Sequence, residues 1–176
     1  MNCAVVLDLD GTLIRNIPYN GDVNKVKFVP EARKILGMFR RRGIKTVCVT
    51  NQSGVGRGFI THEQVQAINK KVKDHLLLDW IDYCPHHPDH GCDCRKPNTG
   101  LVEQARHELG FFVTLGVIGD SKCDEDLAKN LGVPFYDVNV MGLRTAVKLV
   151  CHKHAPLTPK IMRTRKERKW LQKKKL

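Results

Sequence analysis

Two carboxylates, Asp8 and Asp10, close the apolar run Ala4-Val5-Val6-Leu7, and Gly11-Thr12 follows them directly. Side chains on an extended segment alternate with period 2, so Asp8 and Asp10 point the same way. The run reads as a buried strand, and Gly11 lets the chain turn sharply beyond it. Paired acids at the carboxyl edge of a parallel sheet can hold a magnesium ion. They can also divide a reaction between them, one carboxylate as nucleophile and the other as proton carrier. An Asp-rich turn without chemistry has the same local pattern, so the decision rests on the remaining strands.

Two further apolar runs end in polar groups. Ile44 to Val49 stops at Thr50-Asn51-Gln52-Ser53, followed by Gly54-Val55-Gly56-Arg57-Gly58. Leu115-Gly116-Val117-Ile118 stops at Gly119-Asp120-Ser121-Lys122-Cys123-Asp124, and Arg95-Lys96-Pro97 adds two cations between these runs. In open α/β sheets ligands bind where strands end, so three such endings define one phosphate or metal site. A second constellation, Cys84-Pro85-His86 through Cys92-Asp93-Cys94, has the spacing C-x-H-x5-C-x-C. Three thiols and an imidazole suit tetrahedral zinc, and four protein ligands leave no open position, so the site reads as structural. His86 is the favoured fourth ligand, with His87 and His90 as alternates. Such a clamp would fix Arg95 and Lys96, which directly follow Cys94.

The elements that must position these groups alternate. Pro30 opens a helix with Ala32, Ile35, Leu36 and Phe39 on one face and Gly43 after its end. Thr61-His62-Glu63-Gln64 is a capping-box pattern for a helix running toward Leu78, with Val65, Ile68, Val72 and Leu76 spaced for burial. Leu101, Val102, Ala105 and Leu109 mark a third helix, Leu127 and Leu131 a short fourth, and Val133 to Val138 a last strand. The order β-α-β-α-α-β-α-β predicts an α/β, Rossmann-like three-layer sandwich with a mostly parallel sheet. The stretch from Leu13 to Val29 is too short for a cap domain and reads as a loop beside the active site.

The ordered set from Asp8 to Asp124 resembles the haloacid dehalogenase (HAD) superfamily of aspartate-nucleophile phosphatases. The Cys-Pro-His and Cys-x-Cys-Arg-Lys-Pro loop is similar to the branch holding the heptose-1,7-bisphosphate 7-phosphatases and the histidinol-phosphatase domain. Thr50 through Gly58 and the segment Tyr19 to Pro30 look closer to the heptose enzymes, while the short zinc-loop spacer is more like histidinol phosphatase. The resemblance implies that Asp8 attacks phosphorus to form an aspartyl-phosphate and that Asp10 protonates the leaving oxygen and then deprotonates water. It places magnesium on the Asp8 carboxylate, the Asp10 backbone carbonyl and the Asp120 carboxylate. Asp124 would orient metal-bound water, or serve only as a helix N-terminal acid. Thr50 and Asn51 would bind the phosphoryl oxygens, with Lys96 adding a point charge. Arg95 would grip a second anionic group, and Gln52, Ser53, Arg57 and Tyr19 are further substrate contacts, Arg57 reading equally well as an exposed cation. The heptose enzymes tend to carry Lys directly after the last motif Asp, where this chain has Ser121 and then Lys122.

The chain has 176 residues, 41% of them hydrophobic, which is enough for one domain with a sizeable core. No apolar run approaches a membrane span, and the first residues lack the features of a signal peptide. Seven cysteines, three in the metal-like cluster, fit a reducing compartment, so a cytoplasmic enzyme is expected. Net charge is +12, but residues 148–176 hold eleven Lys or Arg against one acid, Glu167; that segment carries +10 and the other 147 residues only +2. The boundary therefore falls at 150, with a phosphatase domain over 1–150 and a basic tail over 151–176. The tail reads as a solvated arm or as a polyanion-binding element.

The expected activity is magnesium-dependent hydrolysis of a small phosphorylated sugar, in carbohydrate metabolism. The alternatives are a phosphatase of nucleic-acid 3′ ends or nucleotides that uses the tail, a histidinol-phosphate phosphatase, and a catalytically idle binding protein.

Overall fold

The computed structural model describes residues 2–154, so the expected tail from residue 155 onward lies outside the described residues. A five-stranded, wholly parallel sheet carries the molecule, in the order β3-β2-β1-β4-β5. Its strands are β1 (Cys3–Leu7), β2 (Ile44–Asn51), β3 (Trp80–Cys84), β4 (Val113–Gly119) and β5 (Phe135–Asp137). Period 2 sorts the residues of β1 and β2 between two cores, and in β4 a register shift against β1 after Thr114 changes which residues face which side. Val5, Leu7, Ile44, Cys48, Leu115 and Ile118 face one side, while Ala4, Val6, Val47, Val49 and Val117 face the other.

Helices α1 (Ala32–Arg40), α2 (His62–Leu76) and α5 (Val138–Lys153) cover the first side through residues such as Leu36, Val72 and Val147. Helices α3 (Gly100–Leu109) and α4 (Lys122–Leu131) cover the second through Val102 and Leu127. Each helix buries the stripe that its 3.6-residue period predicts. The Thr61 capping box forms as expected: Gln64 N donates to the Thr61 hydroxyl, and Thr61 N donates to Gln64 Oε1 at 2.8 Å. The expected architecture is present, without a cap domain.

Two elements go beyond the sequence expectation. Trp80–Cys84 is a strand where the sequence pattern predicts no element, just past a helix expected to run toward Leu78. The helix stops because Leu77 takes a left-handed conformation (φ 57°), after which the chain pairs with β2. This strand lies at the sheet edge with only its terminal residues Trp80 and Cys84 buried, so it lacks an apolar run. The last helix, α5, is interrupted by a non-helical Gly142 and continues through Lys153 with Cys151 buried. The first residues of the 151–176 segment therefore belong to that helix. Among the described residues no helix is long and apolar enough to cross a membrane.

Candidate active site

Parallel strands bring their carboxyl ends to one edge of the sheet. Leu7 pairs with Cys48 on one flank and with Ile118 on the other, and Asp8 N donates to the Ile118 carbonyl at 2.9 Å. Asp8, Thr50 and Asp120 thus emerge together, from the ends of β1, β2 and β4.

Asp8, Lys96 and Asp124 form a buried ionic group. Lys96 Nζ donates to Asp8 Oδ1 at 2.5 Å and to Asp124 Oδ1 at 2.7 Å. The second Asp124 oxygen accepts from the Ser121 hydroxyl at 2.6 Å and from Ser121 N at 3.2 Å. Asp124 thus caps the start of α4 and at the same time holds the lysine. The second Asp8 oxygen, Oδ2, is buried without a hydrogen-bond partner. Burial raises the Asp8 carboxyl to about 7 against the opposing attraction of Lys96, and Asp124 adds to the rise. For Lys96, burial would lower the ammonium pKa, but attraction to Asp8 and Asp124 prevails and holds it above its ordinary value.

Oxygens of Asp8, Asp120 and Asp124 lie within 4.8 Å of one another. An acid triad that includes an orphaned buried oxygen is a donor set that fits a hard divalent cation. Gly11 makes the approach of Asp120 feasible. At φ +89°, a Cβ on Gly11 would lie 2.0 Å from Asp120 Oδ2. Gly11→Ala is therefore expected to cost about 1–3 kcal/mol from the backbone alone and to push Asp120 outward. Thermal unfolding and the magnesium concentration needed for half-maximal turnover would check this, and an unchanged magnesium requirement would count against Asp120 as a ligand.

Asp10 stands apart from the acid triad. Its carboxylate accepts from Gln52 Nε2 at 2.7 Å, and the same amide nitrogen reaches the Thr50 hydroxyl at 3.1 Å. Burial raises the Asp10 pKa, against the bond from Gln52. The side chain of Asn51 is engaged within the protein. Its Oδ1 accepts from Lys96 N at 3.0 Å and its Nδ2 donates to the Lys96 carbonyl at 3.1 Å, a two-point clasp that ties the lysine to the end of β2. Lys122 is exposed and paired with Glu125 and Asp126 on its own helix, which engages its ammonium away from the site. Arg57 is exposed. One guanidinium nitrogen of Arg95, Nη1, is buried and unpartnered.

Beside Asp10 opens a cleft of about 210 Å³, walled by the loop after β1, the end of β2 and helix α2. Tyr19, Gln52 and Ser53 line it, and the Tyr19 ring packs at a tilt of 58° against Phe59 with ring centroids 4.8 Å apart. The segment between Leu13 and Val29 does lie beside the site, tied to α2 by Lys71 Nζ donating to the Val23 carbonyl. Asn69 of α2, which the helical periodicity passed over, also lines the cleft. Its signal in the sequence was a lone amide between Ile68 and Val72 on the stripe that α2 buries.

The sulfur and imidazole cluster converges. Cys84 Sγ lies 3.6 Å from His86 Nδ1 and 3.5 Å from Cys92 Sγ, and Cys94 Sγ lies 3.2 Å from His86 Nδ1 and 3.5 Å from Cys92 Sγ. Zinc–sulfur bonds of about 2.3 Å give a tetrahedron with edges of roughly 3.8 Å, so these four donors fit zinc with little movement. The structure brings His86 into this group; His90 stacks on the His86 ring, and the His87 ring sits against Asp89.

No protein-family model matches the chain. It is 39% identical over 141 residues to the probable D-glycero-D-manno-heptose-1,7-bisphosphate 7-phosphatase of Thermoplasma acidophilum, covering 75% of this chain and 87% of that one. It is 35% identical over 143 residues to the D-glycero-beta-D-manno-heptose-1,7-bisphosphate 7-phosphatase of Haemophilus influenzae, covering 75% and 77%. The fold matches the crystal structure of the D,D-heptose 1,7-bisphosphate phosphatase of B. bronchiseptica complexed with magnesium and phosphate. That match has a TM-score of 0.70 and 25% identity over 84% of this chain and 86% of that one. The buried aspartate, the clasped lysine and the converging acids thus stand in a chain similar to these phosphatases: the chain belongs to the haloacid dehalogenase superfamily and is a phosphatase similar to the heptose-bisphosphate enzymes.

Proposed function

We propose that the chain is a magnesium-dependent phosphomonoester hydrolase acting through an aspartyl-phosphate, with a small phosphorylated sugar such as D-glycero-D-manno-heptose 1,7-bisphosphate as substrate. The observation that carries this reading is Asp8, with one oxygen on Lys96 and the other unpartnered, two residues from Asp10 and its open cleft. The unpartnered oxygen attacks phosphorus as the bond to the ester oxygen breaks, and Asp10 gives that oxygen its proton. Asp10 then takes a proton from the water that attacks the phosphoryl group, which returns Asp8 as a carboxylate. Lys96 offsets the negative charge gathered at this point, Asp124 and the Asn51 clasp keep it there, and Thr50 offers a hydroxyl beside Asp10.

Magnesium held by Asp8, Asp120 and the Asp10 carbonyl would supply further positive charge to the phosphoryl oxygens. Zinc held by Cys84, His86, Cys92 and Cys94 would be structural. Arg95 remains the side chain suited to a second phosphate. The nucleic-acid alternative rested on the basic tail, and no lysine, arginine or histidine among the described residues lines the cleft to support it.

Turnover of heptose 1,7-bisphosphate, histidinol phosphate and a 3′-phosphorylated oligonucleotide, each with and without magnesium, tests the reading. The heptose ester is expected to lead by at least about tenfold in kcat/KM, a difference of about 1.4 kcal/mol in transition-state binding. Preference for either of the others would replace the proposed substrate.

A further inference from the structure

We infer that Asn69 is a specificity-determining residue, its side-chain amide hydrogen-bonding a hydroxyl group on the uncharged body of the substrate. The inference rests on the sugar-phosphatase reading and deepens it. Helix α2 buries Val65, Ile68, Asn69, Val72 and Leu76, so Asn69 interrupts an otherwise apolar stripe. A buried amide in such a place is ordinarily paired, yet Oδ1 of Asn69 has no hydrogen-bond partner. The residue lines the cleft that opens beside Asp10, on the wall supplied by α2.

The other amides of this cleft are already accounted for. Gln52 donates to Asp10 and Thr50, Asn51 clasps the Lys96 backbone, and Asn20 accepts from Asp22 N. Asn16 is exposed to water. Asn69 alone among them is both buried and left with an unmatched carbonyl.

The chemistry of the walls selects the ligand. No cationic side chain among the described residues lines the cleft, so it does not suit a second phosphate. Tyr19 is the one aromatic side chain among the described residues that lines the cleft, which offers little stacking surface for a run of bases. A hydroxyl can donate to the amide carbonyl or accept from its nitrogen, and a half-turn of the last torsion lets Asn69 present either end. A hydroxylated carbon chain therefore matches these uncharged polar walls. A site built to hydrogen-bond a hydroxyl rejects the analogue that lacks it, because its own polar group is then left unpaired.

The test compares two esters on the magnesium- and zinc-loaded protein: heptose 1,7-bisphosphate and p-nitrophenyl phosphate, whose body carries no hydroxyl. Asn69→Leu and Asn69→Ser are each expected to lower the ratio of kcat/KM between these esters about tenfold or more, mainly through KM for the heptose. Asn69→Ser guards against a folding defect in the bulkier variant. A residue needed only for packing would lower both activities together and leave the ratio constant, and that result, or no effect at all, would overturn the inference. Should the wild type leave the heptose ester intact, the proposed substrate falls, and the same ratio is measured with fructose 1,6-bisphosphate. A wild type that hydrolyses p-nitrophenyl phosphate but neither hydroxylated ester would overturn this inference while leaving the phosphatase class standing.

Discussion

Asp8→Asn is expected to lower kcat by at least about 10³-fold while the protein stays folded. The amide nitrogen that replaces one oxygen is not a nucleophile, and the remaining carbonyl oxygen is a far weaker one than a carboxylate, so the covalent step is lost. Stability should change little, for two reasons that the geometry supplies. Lys96 retains its 2.7 Å bond to Asp124, so no buried cation is orphaned. Burial also holds the Asp8 carboxyl up at about 7, above its ordinary value of 3.8. An acid whose pKa rises on folding destabilises the fold once pH exceeds the unfolded value, so at neutral pH a neutral Asn removes a burden instead of adding one. Steady-state turnover of p-nitrophenyl phosphate and thermal unfolding would be measured on the same preparation. Turnover within tenfold of wild type, with the fold intact, would remove Asp8 from the role of nucleophile.

What could be read in the chain beforehand divides along physical lines. Strand endings were legible because an apolar run followed by Asp or Thr-Asn is a local pattern, and a parallel sheet must gather such endings at one edge. The same holds for the Cys84-to-Cys94 loop, where spacing alone keeps four donors near one another. Partner choice was not legible. Asn51 and Lys96 are 45 residues apart, and only the packing of the zinc loop against β2 reveals that the amide serves the lysine backbone. Asp124 likewise gave no sign in sequence of its bond to Lys96, which lies 28 residues before it. Edge strand β3 escaped because an edge needs less apolar surface than a central strand, and Asp82 at its middle breaks the run. Asn69 escaped for the opposite reason, since a polar residue on a helix's buried stripe looks like noise until the cleft beside it is seen.

Loss of a zinc ligand should have the second-largest effect, and it should act on both stability and rate. Cys94→Ser is expected to release zinc, from about one ion per chain to none by elemental analysis, because a tetrahedral thiolate site with a missing corner binds far more weakly. Metal binding is folding energy for the segment it closes, and Cys84, at the end of β3, connects that segment to the sheet. A loss of about 3–5 kcal/mol would lower the midpoint of thermal unfolding by roughly 10 °C for a domain of this size. His86→Ala should behave like Cys94→Ser, whereas His87→Ala should retain the ion, since His86 Nδ1 faces the sulfurs and the His87 ring faces Asp89. The rate should fall as well, because Cys94 is two residues from Lys96 and anchors the loop that delivers it. The fall should nevertheless be smaller than for Asp8→Asn, since the Asn51 clasp and the Asp124 ion pair still hold the lysine from two other directions. Unaltered zinc content in Cys94→Ser would refute the clamp, while zinc loss with full turnover would show that those two tethers position Lys96 without it.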